Sequence, residues 1–327
     1  MKSKTGLQPE AIHYDMFLWT NIVIQMEQQR IDEMVRSWYA SNPKGEWKRL
    51  KRNAYHELEF SVTMHFLEKY LPDSGLVLDA GGGPGRYTVE LARKGYDMVL
   101  LDLVPELLEV AKSQVRRAGA AKKVKLIAQG SIENLSMFDD EAFDSVLCLG
   151  GSLCHLLDQK RRVKAAGELV RVLKQGSLIF VSVIGRLAVL ETLMVRVPEE
   201  IMYAQHHWEA GDYIPGLYGQ GFTAAHWFLP EELKGLFEER GIEVLEMAGL
   251  EGLSSHHERE TNRLSRDPAK WEIWLQTLLR TCTHPSVVGI SEHFLMFGRK
   301  RTDTRSKRVS LKSCSEVGDS LAHDPLV

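Results

Sequence analysis

The sequence predicts an α/β protein, a doubly wound and largely parallel sheet with helices on both faces, and three observations carry that prediction. From residue 72 onward, short apolar runs alternate with amphipathic segments, the pattern of successive βαβ units. The first such run, VLDAGGGPGRY (residues 77–87), passes straight into a glycine-rich turn and a helix start. A second run, MVLLD, ends in an acidic residue seventeen positions after the last glycine of that turn.

The elements follow in order. Two helical stretches precede the glycine turn. The second runs from Glu46 to Leu71 with Trp47, Leu50, Ala54, Leu58, Val62 and Phe66 at helical spacing, and is expected to be one amphipathic helix broken by LPDSG. Strands are expected at Leu76–Ala80, Met98–Leu101, Val124–Ala128, Ser145–Leu149 and Leu178–Ile184, with helices starting near Gly85, Pro105 and Asp158. An aromatic and His-rich insertion (198–228) interrupts the alternation. A helix with Pro230 at its start and Gly241 past its end leads to a sixth strand, Ile242–Met247. A second insertion (about 250–287) precedes a last strand, Ser291–Phe297. The domain reading is an N-terminal helical lid (1–71), the α/β domain (72–300) and a polar, disordered tail (301–327).

Bulk properties bound the function. The 327 residues are 44% apolar and 26% charged, with a formal net charge of −3. That balance gives no electrostatic case for a nucleic-acid or membrane partner. Four scattered cysteines without a C-x-x-C pair suggest a reducing cytoplasm rather than a disulfide framework or zinc site. The apolar stretch Phe17–Met26 is too short and too polar to span a bilayer and is expected to be part of a packed helix. His206–His207 and His256–His257 are adjacent pairs without metal-ligand spacing, so no metal site is expected.

The spacing of the glycine turn separates its possible ligands. A triphosphate loop requires G-x-x-x-x-G-K-[ST], and no Lys-Ser or Lys-Thr follows. The dinucleotide pattern G-x-G-x-x-G fails because Arg86 stands in its sixth position. What is present is D-x-G-x-G-x-G: Asp79, Gly81, Gly83 and Gly85. A carboxylate there repels a pyrophosphate but suits an ammonium or a sulfonium. Asp102, ending the second strand, can accept hydrogen bonds from both hydroxyls of a ribose. After the third strand, Gly130, Ser131 and Ile132 offer a slot for an adenine ring, with Leu103 on its other face.

VLDAGGGPGRY, MVLLD, GSIENL and FDSVLCLGG, in this order and spacing, resemble the class I, seven-strand S-adenosylmethionine-dependent methyltransferases. The resemblance covers residues 50–184 closely and the last two strands more loosely. It implies strand order 3-2-1-4-5-7-6 with the last strand antiparallel, and S-adenosyl-L-methionine as cofactor across the C-terminal ends of strands one to four. Asp79, Gly81, Gly83, Gly85, Arg86, Asp102, Leu103, Gly130, Ser131, Ile132 and Leu149 are the residues expected to bind it. The family pattern commonly has an acidic residue where Ser131 stands, and a short hairpin where the second insertion lies.

The expected activity is methyl transfer to a small-molecule acceptor, with the two insertions forming the acceptor pocket. His155, following strand four, and His226, preceding the PEEL helix, are the acid/base candidates. Two other readings stay open: a non-catalytic, cofactor-binding scaffold, and a protein or RNA methyltransferase using the basic run Lys48–Arg52. The acceptor atom and the oligomeric state are not readable from the sequence.

Overall fold

The computed structural model describes residues 28–302. The stretch Phe17–Met26 and nearly all of the tail lie outside the described residues. A helix over residues 28–41 (α1) is followed by α2 (Pro43–Arg49) and α3 (Ala54–Tyr70). The α/β succession then runs β1 (Leu76–Ala80), α4 (Arg86–Arg93), β2 (Asp97–Asp102), α5 (Pro105–Arg117), β3 (Val124–Gln129), β4 (Phe143–Cys148), α6 (Gln159–Val172) and β5 (Leu173–Ile184). The first insertion holds α7 (Arg186–Val195), α8 (Ala204–Glu209) and a two-residue ribbon, β6 (Asp212–Tyr213) with β7 (Ala225–His226). The remainder is α9 (Pro230–Glu238), β8 (Ile242–Gly249), α10 (Glu258–Leu264), α11 (Pro268–Thr281), α12 (Pro285–Ile290) and β9 (His293–Lys300).

Seven strands form one sheet in the order β3-β2-β1-β4-β5-β9-β8. β9 is antiparallel to both its neighbours, and the pairs from β3 to β5 are parallel. Once the short ribbon is set aside, this is the expected 3-2-1-4-5-7-6 order. The central strands are apolar on both faces, as burial between two helix layers requires: Val77, Leu78, Ala80, Leu100, Leu101, Val146 and Leu147 are all fully buried. One core layer packs β1, β4 and β5 against α6 and α9, and the other packs the same sheet against α3 and α4. The order reverses between β1 and β4, so the loops after both strands diverge and leave a crevice at their C-terminal ends.

One expected element divides. The helix read from Glu46 to Leu71 breaks between Arg49 and Ala54. Asn53 takes an extended conformation and its side-chain oxygen accepts from His56 N, starting α3 afresh. The apolar stripe continues across the break because Leu50, Leu58, Val62 and Phe66 are all buried. The consequence is functional: the break turns α2 away from the sheet-packed axis of α3 and lets it face the crevice. Among the described residues no helix is long and apolar enough to cross a membrane.

Candidate active site

The loop after β1 is shaped by its glycines. Gly81, Gly83 and Gly85 have φ of +75°, +55° and +80°, conformations that side chains resist. The N–H groups of Gly81 and Gly82 both donate to Leu101 O, tying the loop to the end of β2. A Cβ on Gly81 would lie 2.3 Å from Ser152 Oγ, and one on Gly82 would lie 2.5 Å from the Asp79 carboxylate. The backbone thus comes close to its surroundings at the positions where a ligand would lie against it.

Asp79 is wholly buried. Its Oδ2 accepts from Thr88 Oγ1 at 2.6 Å and Thr88 N at 3.2 Å, while Oδ1 is buried with no partner. Asp102 accepts from Gly83 N (2.8 Å) with one oxygen and from Val104 N (2.9 Å) with the other. Each oxygen keeps a second lone pair for a ligand hydroxyl. Burial pushes both carboxyls up to about 6, against the donors that favour their ionised forms.

Both aspartates line one cavity, together with Gly81–Pro84 and Arg86 on the glycine loop side. Leu103, Val104 and Leu107 form another stretch of the wall, and Gly130, Ser131, Ile132 and Glu133 a third. A Cβ on Gly130 would lie 2.8 Å from Leu101 Cδ1, so any larger residue there displaces the Leu101 side chain. Leu149, Gly150 and Ser152 close the end of β4. All eleven residues expected at the cofactor site line this cavity except Gly85. Gly85 instead starts α4, with a Cβ position 3.3 Å from Ala111 that keeps α4 close to α5.

Arg86 takes a more structural place than expected. Its guanidinium lies 3.6 Å from the centre of the Trp47 ring and donates to Trp47 O, fastening α2 over the glycine loop.

The remaining wall comes from the N-terminal helices: Asp32, Val35 and Tyr39 of α1, then Glu46, Arg49 and Leu50 after them. Arg161, at the start of α6, holds Asp32 (2.8 and 3.2 Å) and Glu133 (2.8 and 2.5 Å) at once. Arg49 is held by buried Glu59 at 2.5 and 3.2 Å and approaches Glu46 at 3.5 Å. Behind it, His293 Nδ1 lies 2.8 Å from Glu251, and the carboxylates of Glu59 and Glu251 push its imidazole up to about 9 against burial. Glu59, Glu251 and His293 bring their ligand-type atoms within 4.8 Å of one another. Sequence inspection of the paired histidines passed over this group because its members are scattered along the chain.

His155 stands at the cavity as expected, whereas His226 and the two insertions do not. His155 does line the cavity, but neither ring nitrogen is free: Nδ1 lies 2.9 Å from Ala224 O and Nε2 lies 2.8 Å from Tyr39 Oη. His226 is not at the cavity. It is buried in the β6–β7 ribbon with Nδ1 2.6 Å from Asp212 and Nε2 2.7 Å from Glu232, and Glu232 also bonds Arg186. The proximity of His226 to the PEEL helix reflects a structural network instead of a substrate contact. Likewise neither insertion contributes a cavity-lining residue among those described. The first reaches the site only from behind, through Phe222, whose ring centre is 6.0 Å from that of His155, and through Ala224. The rest of the cavity is walled by α1 and α2.

Tyr39, Glu46, Arg49, Glu133, Arg161 and Gly82 were missed by sequence reasoning. The basic run Lys48–Arg52 does not by itself say which cation faces the cavity. Arg52 is exposed beside His56 and Glu258, while Arg49, one turn earlier, faces inward. Gly82 has an ordinary φ, so nothing in the motif spacing marks it.

Residues 77–176 match the methyltransferase domain family. A ubiquinone biosynthesis O-methyltransferase of Xylella fastidiosa is 29% identical over 191 residues, 58% of this chain and 70% of that one. A glycine/sarcosine N-methyltransferase of Parasynechococcus marenigrum is 31% identical over 134 residues, 41% of this chain and 46% of the relative. Among solved structures, an S-adenosylmethionine-dependent methyltransferase of Methanosarcina mazei superposes with a TM-score of 0.52 at 21% identity, covering 73% of this chain and 98% of that one, a likeness of fold.

Proposed function

We propose that the chain is a class I S-adenosylmethionine-dependent methyltransferase that methylates a small organic acceptor held beneath α1 and α2. The observation that carries the site assignment is the pair of buried carboxylates, Asp79 and Asp102, on one glycine-walled cavity, with Asp79 Oδ1 left unpartnered. A buried, unpartnered carboxylate oxygen is costly unless a cation or donor arrives. The cofactor's ammonium and ribose hydroxyls fit these two positions. Arg49 fits its carboxylate, and the space between Leu103 and Ile132 fits its adenine.

S-adenosylmethionine supplies, when bound, a methyl group on a positively charged sulfur. The protein's work is to align the acceptor with that methyl and to keep water out. Val35, Leu50, Leu149 and Leu156 give the cavity apolar walls for that purpose. A small acceptor is favoured because α1 and α2 cover the site and the Lys48–Arg52 run is no uniform basic face. Arg49 turns inward, Lys51 pairs with Glu57, and Arg52 approaches Glu258. The relatives' names, a ubiquinone biosynthesis O-methyltransferase and a glycine/sarcosine N-methyltransferase, point the same way.

Calorimetry with S-adenosylhomocysteine tests the site. Wild-type protein is expected to bind it, and Ile132→Trp, which fills the adenine space, is expected to lose binding while keeping its circular dichroism. Absence of wild-type binding, or undiminished binding by the folded variant, would overturn the assignment.

A further inference from the structure

Tyr39 and His155 form a pair to which cofactor binding gives no task. The carbonyl of Ala224 can only accept, so the 2.9 Å contact places the imidazole proton on Nδ1. Nε2 is then an acceptor, and the Tyr39 hydroxyl donates to it at 2.8 Å. The two rings meet edge to face with centres 5.2 Å apart, and Phe222 backs the imidazole. Both side chains line the cavity, on the wall that also holds Glu46 and Arg49. With its hydrogen committed to His155, the Tyr39 oxygen presents only lone pairs to a neighbouring group.

We propose that Tyr39, backed by His155, receives the proton of a hydroxyl acceptor, so that the substrate class is a phenol, an enol or a similar hydroxyl compound. This rests on the methyltransferase reading above. In the step, the acceptor oxygen–carbon bond forms as the methyl carbon–sulfur bond breaks. The acceptor's proton moves to Tyr39 Oη, and the proton of Tyr39 moves to His155 Nε2. The products are the methyl ether, neutral S-adenosylhomocysteine and a His155 imidazolium that returns its proton to solvent. Tyr39 is the catalytic residue, and His155 is the positioning residue that takes the charge.

The surroundings set the starting protonation states for this transfer. Burial holds the His155 imidazole below the ordinary histidine range, so the ring is neutral and can accept at pH 7. Burial and Glu46 hold the Tyr39 phenol in its protonated form, opposed by Arg49. Cys154 and Asp102 are the other ionisable groups acting on it. Thiolates and tertiary amines have no proton to give up at the moment of attack, so the relay would be idle for them.

The test measures S-adenosylhomocysteine release with three probe sets: simple phenols and catechols, thiols, and tertiary amines. The expected result, read as kcat at saturating cofactor so that titration of Asp79 and Asp102 in the free site does not enter, is turnover of hydroxyl compounds with an acid limb below about pH 6.5. Tyr39→Phe should cut kcat for them about 100-fold, the lower range of general-base effects, and remove the acid limb. His155→Gln should remove the same limb with a smaller loss. Calorimetric binding of S-adenosylhomocysteine by both variants keeps folding separate from chemistry. Wild-type protein that turns over only thiols or amines, or none of the hydroxyl compounds, overturns the inference and leaves cofactor binding standing. So does unchanged phenol turnover by Tyr39→Phe. Failure of wild-type protein to bind S-adenosylhomocysteine sinks the underlying reading instead.

Discussion

The Thr88 hydroxyl donates to Asp79 Oδ2 at 2.6 Å and leaves Oδ1 as the open oxygen of a wholly buried carboxylate. One residue of α4 therefore decides which half of the carboxylate a ligand can use. Thr88→Val keeps the shape and removes the donor. It is expected to cost about 1–3 kcal/mol in urea unfolding, the penalty for an unsatisfied buried partner. It should also weaken S-adenosylhomocysteine binding more at pH 6 than at pH 8, because losing that donor raises the Asp79 pKa further.

The same two carboxylates set opposite pH dependences for binding and for stability. Burial raises Asp79 and Asp102 to about 6. A raised folded pKa contributes stability that is present below the unfolded value, near 4, and is lost as pH rises through 6. The ligand-free protein should gain stability from these groups on acidification from pH 7 to 5. Affinity for S-adenosylmethionine should fall over the same interval, since protonated carboxyls no longer attract a cation. Thermal melts with and without ligand at several pH values check both signs.

Gly82 and Gly83 should respond differently to the same substitution. A Cβ on Gly82 meets the Asp79 carboxylate and Leu100 Cδ1, both at 2.5 Å, in the packed interior. A Cβ on Gly83 has nothing closer than Leu107 Cδ1 at 3.7 Å, although its φ of +55° adds about 1 kcal/mol of strain. Gly82→Ala is expected to abolish cofactor binding and lower the melting temperature. Gly83→Ala should bind measurably and melt near the wild type. The reverse order would contradict the packing of the loop.

The sheet was legible because its signals are local. An apolar run of strand length and a glycine turn each report their own conformation, and the acidic residue at the end of β2 sits where the chain direction puts it. Asp79, Asp102 and Ile132 could be assigned to one cavity from spacing alone, since parallel strands bring their C-terminal ends together. The α1–α2 wall of the cavity was not legible for the same reason in reverse. Tyr39 meets His155 across 116 residues, and Arg161 meets Asp32 across 129, distances over which no periodicity reports contact. His226 misled because its neighbours in sequence resemble a substrate loop, while its partners, Asp212 and Glu232, make it a tie between the ribbon and α9.

His226→Gln tests that reassignment. Opening the hydrogen-bonded network between Asp212, Glu232 and Arg186 around the buried imidazole should cost about 1–3 kcal/mol. Binding of S-adenosylhomocysteine at a temperature where the variant is folded should stay within about twofold of wild type. A variant that melts normally but loses turnover would return His226 to the active site.

Arg161 joins the two sides of the cavity, gripping Asp32 of α1 and Glu133 after β3 with paired contacts to each. Both carboxylates are partly shielded, so this is a better-defined network than an isolated surface pair, which contributes little. Arg161→Met should leave the sheet intact and free α1 to swing from the cavity. The expected outcome is a roughly tenfold faster release of S-adenosylhomocysteine in stopped flow, equivalent to about 1.4 kcal/mol. In the wild type, raising salt should speed release because the exposed side of the network is screened. The variant, lacking the guanidinium, should lose most of that salt dependence. Equal release rates for the two proteins at low salt would mean that α1 is held by Ile31 and Val35 packing on Ala224 and not by the ion network.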